Sequence, residues 1–565
     1  MANSENHSIK YLKPDEAERL SSAWTSDSSY GFTSLPTPVL ARHGAKMLDP
    51  SSAYQVDGFL ATGPTVYRTN ELLIPHGSLG KQADMVEVLR NDLGLVMDEA
   101  PADCRDAPLV FRGVLRPDPH PTADRPTTVV TDAWRALQKL RATAKDPANL
   151  TLSLADVRPM GLNHVLVGAA MGGIGGGSEV LRGVPGAIGG NPNPGAEADE
   201  VGYWRRPVAI RMARPLRTAP TTGRRPVIAI LDTGLGENGW LSVAKEANGM
   251  FAAPSEDCTF VRVDGPLQDG ICTPASPASI PLYWEGSYTI EPLTGYLSSH
   301  TGHATFVIGV VHQTEPNADV LSIRVMYNDG VVYAHVLVQA LKKLLERVVE
   351  AQENNRPDLM VDVVSLSLGG YREAGERGAE YDQLTLAIDD LRARGVVIVA
   401  AAGNYASSRP FYPAALADRD DDGLPPVISV GACNPNGTKA FFSNDGRWVR
   451  CWAAGAALIS SFPETINGSI RPRYQVTTNG GNEPLAIRES LESDDYSYGY
   501  AEWSGTSFAT PMVAARIATL LMKADEATVK QEEGLGVVLE REDLVRRLLR
   551  KGATLNRANA AVQRL

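Results

Sequence analysis

The sequence predicts an α/β fold in which helices cover both faces of a parallel sheet, preceded by a smaller α+β module. Three features predict it. Short and almost wholly apolar strands alternate with helices over residues 224–565, which is typical of a parallel sheet that is buried on both faces. Residues 70–160 follow the order strand, helix, strand, strand, helix, strand, which is a ferredoxin-like arrangement. A stretch rich in glycine and proline, 161–223, separates the two parts and is expected to be a linker.

Residues 1–69 show no clear period and are expected to be irregular. In the module, Pro75 and Gly94 are expected to end a strand and a helix, and Asp132 is a candidate helix cap. The predicted strands are 71–74, 95–97, 109–115 and 150–154, and the predicted helices are 82–93 and 133–144.

The linker contains two runs, 168–177 and 189–195, in which glycine and proline dominate. Glycine leaves the backbone free and proline blocks regular strand pairing. Two interpretations follow: a simple spacer, or a segment that can be cut. After the linker, the predicted strands are 227–231, 320–325, 361–368, 396–401 and 427–430, and the predicted helices are 332–351 and 379–394.

Composition excludes several classes of protein. The chain of 565 residues is 43% hydrophobic and 21% charged, as an ordinary globular protein is. Its net charge of −12 disfavours a nucleic-acid partner, which calls for a basic surface. No run of about 18 apolar residues predicts a membrane span. The polar start, Met1 to His7, predicts no secretory signal peptide and hence a cytoplasmic location.

The cysteines point away from a disulfide scaffold or a zinc module. They number five, and no two of them form a C-x-x-C pair. We expect free thiols; Cys258 and Cys272 could pair if the protein were exported by another route.

Four polar residues lie at loop ends where core packing does not require them. Asp232 ends the first strand of the larger part, His303 opens an apolar helix, Asn404 follows a later strand, and Ser507 opens another helix. A serine hydroxyl is a weak nucleophile until a base removes its proton, and histidine can do this near neutral pH. A carboxylate orients the imidazole, and an amide NH₂ with a backbone N–H can bind an oxyanion. Together these side chains are suited to acyl transfer.

The motifs around these residues resemble those of the subtilisin-type serine peptidases, the subtilases. They are ILDTG at 230–234, HATFVIG at 303–309, SLSLGG at 365–370, AAGN at 401–404 and GTSFATP at 505–511. The resemblance covers roughly residues 225–525, and the order Asp, His, Ser is that of subtilisin.

The resemblance implies a role for each matched residue. Asp232 would orient His303, His303 would be the base, Ser507 would attack, and Asn404 would stabilise the oxyanion with the Ser507 amide. An extended protein or peptide substrate would add as a strand beside Ser367, Leu368 and Gly369, with Gly403 nearby. It also implies peptide-bond hydrolysis by an endopeptidase without a cofactor or a metal ion.

The resemblance also suggests a role for the module at 70–160. Its element order is similar to that of subtilase propeptides, which would make the protein's own N-terminal domain an inhibitor and the enzyme a processing or regulated protease. The alternative for the module is a permanent accessory domain. For the whole chain, the alternative is a silenced subtilase fold that serves as a binding or scaffold protein, because Ala304 stands where the family usually has glycine.

Two further features leave questions open. His300 and His303 form an H-x-x-H pair, but no third ligand is evident, so we expect His300 to be an ordinary surface residue rather than a metal ligand. Two long segments, 250–300 and 462–500, are expected to be insertions at the rims of the substrate cleft.

Overall fold

The structure is a computed structural model. It describes residues 10–11, 35, 37–59, 63–98, 110–122, 130–170, 205–218, 224–241, 261–262, 297–373, 383–419, 422–466, 475–478, 484–488, 496–534 and 551–565. The possible pair Cys258–Cys272 lies outside these residues, as do most of the two expected insertions.

The amino-terminal module is built on an antiparallel sheet with two helices. Its strands and helices are β1 Ala45–Leu48, β2 Thr65–Ile74, α1 Gln82–Leu93, β3 Leu95–Met97, β4 Phe111–Pro117, α2 Ala133–Lys145 and β5 Gly161–Gly168. Asp132 caps α2 as expected, because its carboxylate accepts hydrogen bonds from the N–H groups of Trp134 and Arg135. The predicted ferredoxin-like order is therefore present, with its last strand displaced along the chain.

Three expectations for this region are wrong. Residues 150–154 do not form a strand, because Ser153 and Asp156 form a capping box that starts the short helix Leu154–Val157 instead. The last strand is β5, whose residues were expected to belong to the linker. Within residues 1–69, which were expected to be irregular, a helix, Thr37–Arg42, precedes β1.

The larger part is built on a parallel sheet. Its strands and helices are β6 Val227–Asp232, α3 His303–Thr314, β7 Asp319–Arg324, β8 Val331–Tyr333, α4 Ala334–Glu353, β9 Val363–Leu366, β10 Leu368–Gly369, α5 Gln383–Arg392, β11 Val397–Ala401, β12 Ile428–Cys433, β13 Cys451–Ala454, β14 Leu458–Ser461, β15 Tyr500–Trp503, α6 Thr506–Gly534 and α7 Lys551–Gln563. Among the described residues, β13, β12, β11, β9, β6 and β7 lie side by side in parallel, in that order. Two-residue strands, Lys10–Tyr11 and Val261–Arg262, flank them at the two edges.

Alternate residues of the central strand β6 belong to different apolar cores. Ala229 and Leu231 pack into the core that contains buried residues of α4 and α5. Ile228 and Ile230 pack into the core that contains buried residues of α3 and α6. Because successive strand residues point to opposite faces, helices cover both faces of the sheet. This confirms the predicted fold class.

A buried ion cluster ties the C-terminal helix α7 to the start of the sheet. The Asp362 carboxylate accepts hydrogen bonds from Arg224, from Arg557 on α7 and from the Val227 N–H. Burial alone would raise the pKa of this carboxyl, but the two guanidinium groups outweigh it and lower the pKa to about 2.

The remaining elements are short and contain none of the candidate site residues. They are the strands Arg206–Pro207, Gln475–Thr478 and Pro484–Arg488 and the 3₁₀ helices His76–Lys81, Pro357–Leu359 and Ala414–Asp418. Within the described parts of the chain, no helix combines the length and the apolar character needed to cross a bilayer.

Candidate active site

The four polar residues singled out from the sequence lie at the ends of strands and the starts of helices. Asp232 is the last residue of β6, and Asn404 follows the end of β11. His303 is the first residue of α3, and Ser507 is the second residue of α6. All four are buried, at 0–1% exposure. Ligands of parallel sheets bind beyond the carboxyl ends of the strands, and these residues lie at that edge.

Asp232 and His303 form a close pair. Nδ1 of His303 lies 2.7 Å from Oδ1 of Asp232, which also accepts a hydrogen bond from the Thr233 N–H. The Thr233 hydroxyl in turn accepts the N–H of Ala304, the residue that replaces the usual glycine. The carboxylate therefore faces one side of the imidazole, and Nε2 on the other side has no hydrogen-bond partner among the described residues.

Aromatic rings fix the orientation of the imidazole. The Trp503 ring meets the His303 ring edge to face at 5.6 Å between centroids, and the Phe508 ring lies 5.4 Å away. Phe508 is the neighbour of Ser507 in the chain, so the imidazole packs against the start of the helix that carries the serine. A ring held on two sides and bonded through Nδ1 has little freedom to rotate.

Asn404 points one end of its amide at the start of α6. Its Oδ1 accepts hydrogen bonds from both the N–H and the hydroxyl of Thr506, each at 2.9 Å. Its Nδ2 is buried and has no partner among the described residues. An unpartnered buried NH₂ group is costly unless it serves a ligand or an intermediate.

Ser507 makes three hydrogen bonds. Its Oγ donates to the Ser367 carbonyl at 3.0 Å, and the Ser367 hydroxyl donates to the Ser507 carbonyl at 2.8 Å. Its backbone N–H donates to the carbonyl of Ala169 at 3.0 Å. The residue that follows β5 therefore hydrogen-bonds through its carbonyl to the amide of Ser507.

β5 runs through the groove next to this amide. One edge of β5 pairs with β2 of its own module and, further along the strand, with β10 of the larger part, and the opposite edge pairs with β8, antiparallel throughout. In register, Val167 lies between Val331 of β8 and Gly369 of β10. Just beyond the strand, the Ala169 N–H donates to the Ser367 carbonyl at 3.0 Å. Both backbone groups of Ala169 are thus bound beside Ser507.

The predicted substrate-binding residues divide into two groups. The Ser367 carbonyl bonds to Ala169, and Leu368 and Gly369 pair with β5. Gly403 instead contacts the start of α6, where its N–H donates to the Thr506 hydroxyl. Its φ of 95° lies in the left-handed region, so glycine is needed there for the backbone conformation.

His300 is not on the surface, so that expectation is wrong. Its side chain is fully buried, and its ring centroid lies 5.1 Å from that of His303. Burial, followed by the neighbouring His303, lowers the pKa of His300 well below its usual value. Within the described part of the chain, no group of three or more His, Cys, Asp or Glu side chains is arranged to hold a metal ion.

Sequence reasoning missed three residues at the site: Gly168, Ala169 and His300. The first two were assigned to a linker because glycine dominates the run that they open. The apolar run Val165 to Val167 is the sequence signal for β5, but the position of this strand in a groove depends on backbone pairing, which side chains do not reveal.

Comparison with known proteins identifies the family of this chain. A model of the subtilase family, peptidase S8, matches residues 223–564, well over half of the chain. The chain belongs to the subtilase family.

The curated relatives are distant. An extracellular protease of Xanthomonas campestris pv. campestris is 25% identical over 321 residues, which cover 54% of this chain and 45% of the relative. Subtilisin DY of Bacillus licheniformis is 26% identical over 245 residues, which cover 42% of this chain and 69% of the relative. The chain thus spans less than half of the length of the first relative. A crystal structure of a lanthipeptide protease matches with a TM-score of 0.33 and 16% identity, over 57% of this chain and 78% of the other.

Proposed function

We propose that the protein is a serine endopeptidase whose nucleophile is Ser507. His303 is the general base, Asp232 orients and stabilises the imidazole, and Asn404 with the Ser507 amide binds the oxyanion. The proposal depends on one observation: the Ala169 carbonyl accepts a hydrogen bond from the Ser507 amide, in the same buried site as the Asp232–His303 pair, whose atoms are 2.7 Å apart. A carbonyl in that position is where a scissile peptide bond must bind.

The mechanism uses each of these groups once. His303 Nε2 accepts the proton of the Ser507 hydroxyl as Oγ attacks the carbonyl carbon, which requires Oγ to rotate away from Ser367. The tetrahedral oxyanion then accepts hydrogen bonds from the Ser507 amide and from Nδ2 of Asn404, which has no other partner among the described residues. The imidazolium passes its proton to the leaving amine, and water hydrolyses the acyl-enzyme by the reverse sequence.

We propose that the amino-terminal module inhibits the enzyme by occupying its substrate groove. β5 supplies the added strand that an extended substrate would supply, through main-chain hydrogen bonds to β8 and β10. The placement of this strand supports an inhibitory propeptide rather than a passive accessory domain, because its continuation covers Ser507 itself.

Ion pairs between the module and the larger part support the same role. His164 of β5 pairs with Glu373, and His43 lies 2.9 Å from Asp329, which Arg42 also contacts at 3.0 Å. The Thr65 hydroxyl donates to the Tyr371 carbonyl at 2.6 Å. These contacts hold the module over the groove at several points. They allow a cleaved module to stay bound as an inhibitor.

The alternative is a silenced subtilase fold that binds a partner. One observation favours it: Ser507 Oγ donates to the Ser367 carbonyl and His303 Nε2 has no partner among the described residues, so the nucleophile and the base are not bonded in this conformation. The active and the silenced hypotheses differ in whether the Ser507 hydroxyl can turn about χ1 towards His303. A measurement of the reactivity of Ser507 therefore decides between them.

A fluorophosphonate probe tests the proposal on the purified full-length chain. We expect labelling at Ser507 over a time course, together with a new amino terminus between about residues 160 and 224. His303→Ala should abolish both, and Ser507→Ala should abolish both while leaving the chain folded. A wild-type chain that stays intact, and that stays unlabelled after removal of residues 1–224, would establish the silenced alternative.

A further inference from the structure

We infer that this enzyme cleaves peptide bonds at which the residue two places before the cut is glycine, and that buried His300 excludes any larger residue at that place. The chain's own bond between Ala169 and Ala170 is the first such substrate. The inference rests on the proposed function and adds to it a scissile bond and a selectivity.

The position of the cut follows from the hydrogen bonds of Ala169. Its carbonyl accepts the Ser507 N–H at 3.0 Å, and its own N–H donates to the Ser367 carbonyl at 3.0 Å. The carbonyl on the nucleophile's amide is the one to be attacked, so the bond that follows it is the one to break. Gly168 is then the second residue before the cut.

Cleavage of the Ala169–Ala170 bond passes through an ester on Ser507. Ser507 Oγ bonds to the carbonyl carbon of Ala169, and the bond from that carbon to the nitrogen of Ala170 breaks. The hydroxyl proton passes through His303 to the Ala170 nitrogen, which leaves as an amine. Water then adds to the ester, returns a proton to Ser507 through His303, and leaves a carboxylate on Ala169.

Gly168 has no room for a side chain. A Cβ built on it lies 2.5 Å from Nε2 and 2.6 Å from Cδ2 of His300, and 3.0 Å from Sδ of Met326. The Met326 side chain is flexible and could shift, but an imidazole is rigid. The Gly168 N–H also donates to the Gly330 carbonyl at 2.9 Å, so the strand cannot simply lift away from this wall.

On the side away from Gly168, the His300 ring packs against Gly330. A Cβ built on Gly330 lies 2.3 Å from its Nδ1, so the ring packs directly on the backbone there. Nδ1 is also 3.0 Å from the Ser299 hydroxyl, which donates to the Asp329 carbonyl. The backbone of His300 is tied down by its N–H, which donates to the Asn328 carbonyl at 2.8 Å. The ring that meets Gly168 therefore has nowhere to move.

The first test is self-cleavage of the full-length chain. We expect wild type to release a fragment that begins at Ala170, and Gly168→Ala to do so about ten- to a hundredfold more slowly, because overpacking a rigid site has that cost. Gly161→Ala is the matched control on the same strand, since a Cβ there meets nothing within 4 Å. Gly168→Ala combined with His300→Ala should recover most of the rate.

The second test removes any effect of Gly168→Ala on folding. The self-processed wild type and His300→Ala enzymes are first separated from the cleaved module by size-exclusion chromatography at low pH. They are then given two synthetic peptides, one with the sequence of residues 162–174 and one with alanine in place of Gly168. Wild type should prefer the glycine peptide in kcat/KM by about ten- to a hundredfold, and His300→Ala should lose most of that preference.

Three results would overturn the inference. A new terminus at a residue other than Ala170 would refute the assigned bond, although probe labelling would still support a peptidase. Equal cleavage of the two peptides by wild type, or an unchanged preference in His300→Ala, would refute the selectivity. A chain that neither labels with the probe nor cuts would refute the peptidase itself along with the inference.

Discussion

Replacing Asn404 by aspartate should separate catalysis from folding in a single substitution. The Asn404 side chain has two ends with different tasks. Oδ1 accepts two hydrogen bonds from Thr506 at the start of α6, and Nδ2 is buried without a partner among the described residues. Aspartate keeps the acceptor, and its charge suits the amino-terminal end of a helix. It removes the NH₂ that we propose to hold the oxyanion.

The expected magnitudes follow from these contacts. Loss of one oxyanion donor costs about 10²–10³ in kcat, or about 2.7–4 kcal/mol, a magnitude known from subtilisin. Asn404→Asp should lose at least this much, because a carboxylate also repels the oxyanion, while its thermal unfolding stays close to that of wild type. Asn404→Ala should lose the same activity and also about 1–3 kcal/mol of stability, because it removes the oxygen that accepts hydrogen bonds from the N–H and the hydroxyl of Thr506.

The assay is steady-state hydrolysis of a peptide substrate, with active sites counted by the fluorophosphonate probe and unfolding followed by circular dichroism. KM should change little, because the oxyanion forms only in the transition state. If folded Asn404→Asp kept kcat within about threefold of wild type, a loss of under about 0.7 kcal/mol, Asn404 would not be an oxyanion donor.

The remaining predictions concern stability and the inhibitory module. Asp362→Asn should cost about 3–5 kcal/mol in urea unfolding, because it removes the buried negative charge with which both Arg224 and Arg557 pair. In the wild type, the pKa of about 2 of the Asp362 carboxyl means that this contribution is complete above about pH 4 and is lost as the pH falls towards 2. A loss below about 1 kcal/mol would contradict this. Burial alone would raise the pKa of Glu373, but its pairing with His164 outweighs burial and lowers the pKa to about 2. The cleaved module should therefore dissociate as the pH falls from about 4.5 towards 2, because protonation of Glu373 ends this ion pair. Size-exclusion chromatography measures the dissociation, and Glu373→Gln should remove its dependence on pH. Leu137→Ala, at a fully buried position of α2, should destabilise the module by about 2–5 kcal/mol and raise peptidase activity; unchanged inhibition would argue that the module needs no stable core to inhibit.

Much of the fold and of the candidate site could be predicted because each feature has a local signature. β6 and β11 are apolar runs of five or six residues, and such runs mark buried parallel strands wherever they occur. Asp232 and Asn404 stand out because they end such runs, where packing alone would not place a polar side chain. The elements of the module were harder to predict. Local hydrogen bonds of Ser153 and Asp156 override the strand-like alternation of residues 150–154.

The amino-acid order by itself determined most of the elements that form and the side chains that carry the proposed chemistry, because hydrophobic period and residue type are local properties of the sequence. Only the tertiary structure decided that β5 lies in the groove, that the Ala169 carbonyl lies on the Ser507 amide, and that His300 abuts Gly168. The first two are backbone hydrogen bonds between segments far apart in sequence, and every residue type except proline offers the same N–H and C=O groups. The third is a steric fit, which depends on the coordinates of two chain segments together and leaves no mark on either one alone.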